Sequence, residues 1–537
     1  MAGLHPPLRP YARVDVLAPT GAESAALDQT AIEGLGVPQP VLMENAGRSA
    51  ASIVQRLFPE GRVVGVVGSG NNGGDALVLL RTLRAWGRDV GAVLVAERIG
   101  VETGSDPLLH GWDIPIQMDH ELDAEGWRTL FGGAGLIVDG VLGTGVRGAP
   151  RERASAAIEH VNRHRSGCPV LALDVPSGID AATGAMPGSA VQATVTVAFG
   201  APKLGSLFHP ARALVGRLIA VEIAFPPGGY SDTTARLITP AWAQARLPVR
   251  EPDTHKNAVG RVLVVAGQQG MAGAAVLAVR AAFGAGAGLV RVCSATENRE
   301  ILQASVPEAI YVDPLETGAL LEAMERCDAI GFGPGLGTGS FARESAALLT
   351  NGPSRPVVVD ADGLNLVARG DLDLTSMAAT RAVLATPHAG EMARLLDTDT
   401  SNVQSDRLGA LGRAVEAHMP TSGTRPTYVL KGSPSLVSDP AGGALLDCQG
   451  SSDLAAAGMG DALTGVCASL MAQGLSATDA GAVGLYLTGR GARLAGRGVA
   501  LTPSDVIRFL PDAWRERGHG ESDLDLPFVV FDADAAR

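Results

Sequence analysis

A glycine-rich turn, Gly68-Ser69-Gly70-Asn71-Asn72-Gly73-Gly74-Asp75, joins the apolar run Val63–Val67 to a helix-like run that begins Ala76-Leu77-Val78-Leu79-Leu80. A strand that passes through bare glycines into a helix commits the chain to an α/β unit and presents backbone N–H groups to an anionic ligand. Gly68, Gly70 and Gly73 match G-x-G-x-x-G, which alone is a weak signal. The Asn-Asn-Gly-Gly-Asp string is far less common. It adds amide and carboxylate oxygens that phosphate binding does not require, so a ligand site is favoured over a merely tight turn.

At 537 residues the chain is too long for one hydrophobic core, and at least two domains are expected. Hydrophobic residues make up 46%, enough to fill ordinary globular interiors. Lys plus Arg number 43 against 56 Asp plus Glu, a net charge of -13. That balance argues against nucleic acid or an anionic membrane as the main partner, and leaves room for a local basic site for a nucleotide. Cys168, Cys293, Cys327, Cys448 and Cys467 are scattered with no C-x-x-C pair. A disulfide framework or zinc site is therefore not expected, and a reducing cytoplasm fits best. Residues 1–10 carry three prolines and no apolar h-region, unlike a signal peptide. No apolar stretch has the length needed to span a bilayer.

Thr20-Gly21-Ala22-Glu23 reads as a capping box, followed by Leu27, Ala31 and Leu35 at helical spacing and Gly36 as a stop. A second helix is expected through Met43–Gly47. Strand candidates are Val63–Val67, Val90–Val95, Leu136–Asp139, Val170–Asp174, Thr194–Phe199 and Leu218–Ile223. Their alternation with helical stretches predicts a parallel sheet covered on both faces. Composition turns linker-like over residues 225–232. A second alternating series follows, with candidates Val262–Val265, Leu289–Val292, Ala329–Phe332, Val357–Asp360, Ala382–Ala385 and Tyr428–Leu430. The expected division is two α/β domains, residues 1–230 and 231–537, with the last ~20 residues a polar, acidic, loosely held tail.

In open parallel sheets, ligands bind beyond the carboxyl ends of the strands. Three candidate strands of the first half end in Asn71–Asp75, in Asp139-Gly140-Val141-Leu142-Gly143-Thr144-Gly145 and in Asp174-Val175-Pro176-Ser177-Gly178-Ile179-Asp180. These loops are expected to converge on one edge. Asn, Asp and Ser oxygens are hard donors that suit a hard cation. Either aspartate alone could as well cap a helix; both together, flanked by glycines, favour a site.

With Leu42-Met43-Glu44-Asn45-Ala46-Gly47, these runs make the region from roughly Leu27 to Ile223 resemble the NAD(P)H-hydrate epimerase family. The resemblance implies a Rossmann-like three-layer domain that binds potassium and interconverts the R and S forms of the hydrated dinucleotide. Carried over by position, it makes Asn72, Asp139 and Ser177 the potassium ligands. It assigns the dinucleotide to Asn71, Asn72, Gly73, Gly74 and Asp75 together with Gly143, Thr144, Gly145, Val146, Arg147, Gly148 and Ala149. Asp174 would contact the hydrated ring as acid/base. Ala76 stands where many relatives have glycine, which tightens the loop and removes no ligand. Lys203 reads as a solvated surface lysine in preference to a phosphate partner. His160 and His164 lie one helical turn apart and, with no third ligand, read as an exposed helix face.

In the second half, Ala456–Val466 runs small residues into Asp461, which opens an amphipathic helix reaching about Gln473. The N–H groups and dipole of such a helix start suit a phosphoryl group. Asp461 is placed to take a proton from a hydroxyl being phosphorylated. Simple N-capping by Asp461 is the alternative, which the preceding glycines disfavour. Lys431-Gly432-Ser433-Pro434-Ser435 ends the strand Tyr428–Leu430 and suits a nucleotide phosphate. His388, in Thr386-Pro387-His388-Ala389-Gly390-Glu391, reads as a substrate contact. Gly331–Gly337 would let a dinucleotide approach closely. Asp360 and Asp362 could hold magnesium through water or make a structural turn. No G-x-x-x-x-G-K-[ST] occurs, so the chain is not a P-loop enzyme.

Together with His255-Lys256 and Gly260, these runs make the region from about Leu237 to Leu510 similar to the ADP-dependent NAD(P)H-hydrate dehydratases of the ribokinase-like superfamily. The resemblance implies phosphorylation of the ring hydroxyl by ADP, with magnesium, and then loss of phosphate. By position, Ala274, Gly335, His388 and Asp461 would contact the hydrate. Lys431, Gly432, Ser433, Pro434, Ser435 and Gly460 would contact the nucleotide. Ser451-Ser452-Asp453 stands where relatives have Asn-Pro-Gly, and Met459 where a small hydroxyl residue is common, changes that bear on turnover more than on reaction type.

The two halves together predict a fused repair enzyme acting on NADHX and NADPHX with ADP. It would be soluble and cytoplasmic, with no nucleic-acid or membrane partner, and a homo-oligomer is expected. The alternatives are an ATP-dependent kinase of a sugar or vitamin alcohol in the second half, and a non-catalytic binding module in the first.

Overall fold

The computed structural model describes residues 11–98, 108–145, 147–226, 233–253, 255, 259–316, 318–516 and 522–535. The chain forms two compact bodies that divide between Leu237 and Ile238, with the C-terminal segment returning to the first body. Residues 227–232 of the expected linker lie outside the described residues.

The first body holds β1 (Tyr11–Ala12), β2 (Arg62–Val67), β3 (Val90–Leu94), β4 (Ile116–Met118), β5 (Ala134–Gly140), β6 (Val170–Leu173), β7 (Val195–Phe199) and β8 (Arg217–Val221). β2 through β8 are parallel, in the spatial order β8-β7-β6-β5-β2-β3-β4. From β2 the chain first builds outward through β3 and β4, then crosses back to β5 and builds the other way. The loops after β2 and β5 therefore meet where the strand order reverses, the point at which such sheets bind ligands. The central strands are buried on both faces, as the near-continuous Val/Leu/Ile runs require.

Every strand expected in this body is present. The helix after β2 differs in where it starts: it spans Asn71–Ala85, so the Asn-Asn-Gly-Gly-Asp string forms its first turns and not a loop ahead of it. Asn72, Gly73, Gly74 and Asp75 are consequently buried. A Cβ on Gly73 would lie 2.0 Å from the Gly68 carbonyl oxygen, so only glycine allows the chain to fold back this tightly.

The second sheet contains β9 (Ala235–Ile238), β10 (Arg261–Val265), β11 (Leu289–Cys293), β12 (Ile310–Val312), β13 (Ala329–Phe332), β14 (Val357–Val359), β15 (Val383–Ala385), β16 (Thr427–Leu430), β17 (Leu436–Ser438) and β18 (Ala444–Asp447). Their order is β12-β11-β10-β13-β14-β15-β16-β17-β18-β9, parallel from β12 to β16. β17 and β18 extend the sheet antiparallel. The order reverses between β10 and β13, where the two loops bond to each other: Gly267 N donates to Pro334 O at 2.9 Å and Gln268 N to Gly335 O at 2.6 Å. The α/β architecture expected of both halves is thus present. No helix among the described residues is long and apolar enough to cross a membrane.

The expectation of a loose C-terminal tail does not hold. β19 (Val529–Ala533) inserts into the first body's sheet between β1 and β8, antiparallel to both. All five of its residues are buried. Asp532, 0% exposed, accepts from Arg217 Nε at 2.8 Å and Nη2 at 2.6 Å and from Ser522 Oγ at 2.7 Å. The acidic flank obscured the apolar run Leu526-Pro527-Phe528-Val529-Val530-Phe531, which gains its value only by covering the β8 edge. Phe531 is fully buried, so Phe531→Ala is expected to destabilise the first body by about 3–5 kcal/mol, measured by denaturant melts.

Candidate active sites

At the first crevice, β5 delivers Asp139, which is 0% exposed. Its carboxylate accepts from Ser177 N at 2.8 Å, Ser177 Oγ at 2.6 Å and Val141 N at 3.2 Å. Ser177 Oγ in turn accepts from Leu142 N at 2.8 Å, and Asn72 Nδ2 donates to Leu142 O at 2.7 Å. Asn72, Asp139 and Ser177, drawn from three separate loops, therefore form one cluster. Asn72 Oδ1 is buried with no hydrogen-bond partner, an oxygen left over inside an oxygen-rich pocket. Burial pushes the Asp139 carboxyl up to about 6 against the bonds from Ser177 and Val141. A cation at the free Asn72 oxygen would offset both costs, and the donor set suits a hard cation.

Asp174 follows β6 with φ 62, a left-handed backbone that costs a non-glycine residue free energy. Its Oδ1 accepts from Phe199 N at 3.1 Å and from Lys203 Nζ. Lys203 is 1% exposed, and its ammonium also donates to Phe199 O at 2.7 Å and Ala201 O at 3.2 Å. The surface-lysine expectation is thus overturned. Lys203 lies inside, where its ammonium pairs with the half-buried carboxylate of Asp174.

Two further acids share this field. Burial, and then the charges of Asp174 and Asp28, push the Asp75 carboxyl well above the usual range, with Lys203 opposing. Asp28, in the helix Gly21–Gln29, is raised by burial against the pull of Lys203. No sequence signal marked Asp28, because only tertiary packing brings its helix to the site. In the other loop, Thr144 is half-buried whereas Gly145, Arg147, Gly148 and Ala149 are exposed; Val146 lies outside the described residues. His160 and His164 pack against aromatic rings, His160 stacked on Trp127 at 4.7 Å and His164 tilted on Phe131 at 5.1 Å, so neither acts as a metal ligand or as a bare solvated face.

In the second body, Gly335 has φ 54, and a Cβ on it would lie 2.9 Å from Ala274 Cβ. These two expected hydrate contacts are therefore adjacent, across the switch point. His388 is exposed and caps the helix Ala389–Leu395, its Nδ1 accepting from Gly390 N at 3.0 Å and Glu391 N at 3.2 Å. That assigns the ring proton to Nε2, which faces Glu391 Oε1 at 3.4 Å.

Buried Glu391 leads on to Lys431, whose Nζ lies 3.8 Å from Glu391 Oε2 and 2.7 Å from Asp360 Oδ1. Burial works against the Lys431 charge, but Asp360 and Glu391 outweigh it and hold the ammonium above its ordinary range. Thr464 Oγ1, in the helix Met459–Ala472, donates to Asp360 Oδ2 at 2.9 Å. A Cβ on Gly460 would come within 3.2 Å of both Asp360 Oδ2 and Lys431 Nζ. His388, Glu391, Lys431, Asp360 and the first turn of that helix thus form one continuous chain.

The Lys431 side chain is accordingly engaged by acids and is not a free phosphate ligand. Asp362 is engaged too, accepting from Gly337 N at 2.8 Å and Asn365 Nδ2 at 3.0 Å. The structural-turn alternative fits Asp360 and Asp362 better than a magnesium cage. Among the described residues no group of three or more His, Cys, Asp or Glu side chains could hold a metal. Asp461 follows Gly458 (φ 89) in the first helical turn. Burial first, then Asp360, push its carboxyl up to about 6, with Lys431 opposing. Ser433–Pro434 is a cis peptide, and the Ser435 hydroxyl closes the turn on Gly432.

Two switch-point crevices, one lined by hard oxygen donors and one by a poised carboxylate at a glycine-led helix start, define a two-site α/β enzyme. The description NAD(P)H-hydrate dehydratase matches residues 262–511, and YjeF-related protein N-terminus matches residues 39–205. The bifunctional NAD(P)H-hydrate repair enzyme Nnr of Moorella thermoacetica is 35% identical over 520 residues, covering 92% of this chain and 95% of that one. The Escherichia coli enzyme of the same name is 34% identical, with 84% of each chain covered. A crystal structure of ADP/ATP-dependent NAD(P)H-hydrate dehydratase from Bacillus subtilis, co-crystallized with ATP/Mg2+, is 25% identical and covers 52% of this chain and 97% of its own, with a TM-score of 0.44. The chain belongs to the bifunctional NAD(P)H-hydrate repair enzymes.

Lys203→Met leaves the half-buried Asp174 carboxylate without its ammonium partner. It is expected to destabilise the first body by about 3–5 kcal/mol in denaturant melts.

Proposed function

We propose that the first body interconverts the R and S hydrates of NADH and NADPH, and that the second dehydrates the S form at the expense of ADP. The observation that carries this is the joining, in one chain, of the Asp174–Lys203 site to the Asp461 site.

At the first site, the hydrated carbon can invert only if a proton is moved on and off the substrate. Asp174 does this, with the Lys203 ammonium fixing the position of its carboxylate. Asn72, Asp139 and Ser177 would hold potassium, which would supply the positive charge the buried Asp139 and the unpartnered Asn72 Oδ1 call for. The glycines of the Asn71–Asp75 turns and Gly143–Ala149 receive the dinucleotide.

At the second site, Ala274, Gly335 and His388 hold the hydrate. Asp461 accepts the proton of the ring hydroxyl as that oxygen attacks the β-phosphorus of ADP, and AMP departs. The C–O bond of the new ester then breaks, phosphate leaving with the electron pair. Loss of a proton from the neighbouring ring carbon restores the dihydronicotinamide double bond. The balance is hydrate plus ADP to NAD(P)H plus AMP plus phosphate. Phosphorylation is needed because hydroxide leaves poorly and phosphate leaves well. The Lys431–Ser435 turn and Gly460 receive the nucleotide, and magnesium is carried on its phosphates instead of in a protein cage.

The test supplies mixed-epimer NADHX with ADP and magnesium and follows the return of NADH absorbance. Asp461→Asn is expected to abolish all recovery. Asp174→Asn is expected to leave consumption of the S form intact and slow only the R form. Turnover with ATP that accumulates a stable phosphorylated alcohol, with no NADH recovered, would favour an ordinary small-molecule kinase. Because Asp461 must be ionised to accept a proton and burial pushes its carboxyl up to about 6 in the free enzyme, dehydratase kcat/KM is expected to be flat above about pH 7 and to fall about tenfold per unit below pH 6.

A further inference from the structure

The turn after β16 rests on a buried arginine that no motif singles out. Arg407 opens the helix Arg407–Ala417 and is 8% exposed. Its Nη2 donates to the carbonyls of Leu430, Lys431 and Pro434 at 3.3, 3.3 and 3.1 Å, and its Nη1 to Gln404 Oε1 at 2.8 Å. A Cβ on Gly432 would lie 2.6 Å from Nη2, 2.8 Å from Nη1 and 2.9 Å from Cζ, so the guanidinium lies directly against the turn. Nε is buried and has no partner.

Every acceptor of this guanidinium is neutral. Burial alone sets its ionisation, lowering it to about 10, with no carboxylate acting in the other direction. A buried cation of this kind costs free energy unless negative charge comes near it. The neighbouring Lys431 cannot serve the same purpose for a ligand, since its ammonium already lies between Asp360 and Glu391. Arg407 is thus the uncompensated positive charge at this turn, and it holds the turn by three of its carbonyl oxygens. An anion arriving at the turn meets carbonyl lone pairs already engaged by a cation, which weakens their repulsion of phosphate oxygens.

We propose that Arg407 is the positioning cation of the nucleotide site, fixing the Lys431–Ser435 turn through three carbonyls and stabilising the phosphates of a nucleoside diphosphate seated on it. This assignment rests on the second body being the ADP-using site. Arg407 acts through the turn and does not itself take part in the chemistry, so its signature is a change in nucleotide affinity without a matching change in turnover.

The experiment titrates ADP with magnesium into the full chain by calorimetry and measures steady-state dehydration. Arg407→Gln keeps donors for the carbonyls and removes the charge. It is expected to raise both Kd and KM for ADP about tenfold, with kcat and KM for the hydrate within about threefold of wild type. Arg407→Lys, which keeps the charge and loses the fork, is expected to fall between the two, raising KM for ADP about threefold at unchanged kcat. ADP binding by Arg407→Gln as tight as wild type, or a fall in kcat at unchanged KM for ADP, would overturn the proposal. Should Arg407→Gln fail to fold, Arg407→Lys decides: a rise in KM for ADP at constant kcat supports the assignment, and no change in either sinks it. A wild-type chain that takes no ADP at all removes the nucleotide reading itself; one that binds ADP equally well with Arg407→Gln removes only the role of Arg407.

Discussion

Both sites exist because a parallel sheet that grows outward from a central strand in two directions must leave a gap where the directions part. In the first body this gap lies between β2 and β5, and in the second between β10 and β13. The loops on either side bond to each other at their roots, Gly68 N to Gly140 O in the first body and Gly267 N to Pro334 O in the second. The glycines at these points serve that geometry. Gly73 permits the return of the chain onto Gly68, and Gly335 permits contact with Ala274.

Around each gap, charged side chains set the protonation of neighbouring carboxyls. In the first body Lys203 takes up Asp174, while Asp28 and Asp75 crowd the same space and are pushed toward the neutral form. In the second, Lys431 and Thr464 satisfy Asp360, which thereby keeps its charge in the interior, and that charge in turn raises Asp461. A carboxyl near 6 is well matched to accepting a proton around neutrality, being ionised yet not so weak a base as an exposed aspartate. The ion pairs are thus less a source of stability than a means of holding neighbouring groups at useful protonation states.

The strand pattern was legible in the chain because buried parallel strands read as apolar runs separated by glycine-rich turns, from Val63–Val67 to Tyr428–Leu430. The grouping of Asn72, Asp139 and Ser177 was legible for a related reason, since each ends or follows such a run. Lys203 was misjudged because a lysine between Ala201-Pro202 and Leu204 carries no local mark of an acid 29 positions earlier. The tail was misjudged because its acidic residues outweigh a short apolar strand. Asp28, Glu391 and Arg407 escaped notice, each lying in an ordinary helix start or helix face.

What the sequence determined by itself was local: where strands, turns and helix starts fall, and which side-chain chemistries stand at strand ends. Its likeness to known hydrate-processing families rests on those same short runs. Tertiary structure alone decided which charges meet: that Lys203 serves Asp174, that Lys431 belongs to Asp360, and that β19 closes the first sheet from the far end of the chain. The reason is physical. Apolar periodicity acts between residues a few positions apart, whereas the cost of a buried charge is settled by whatever partner the completed fold brings near it.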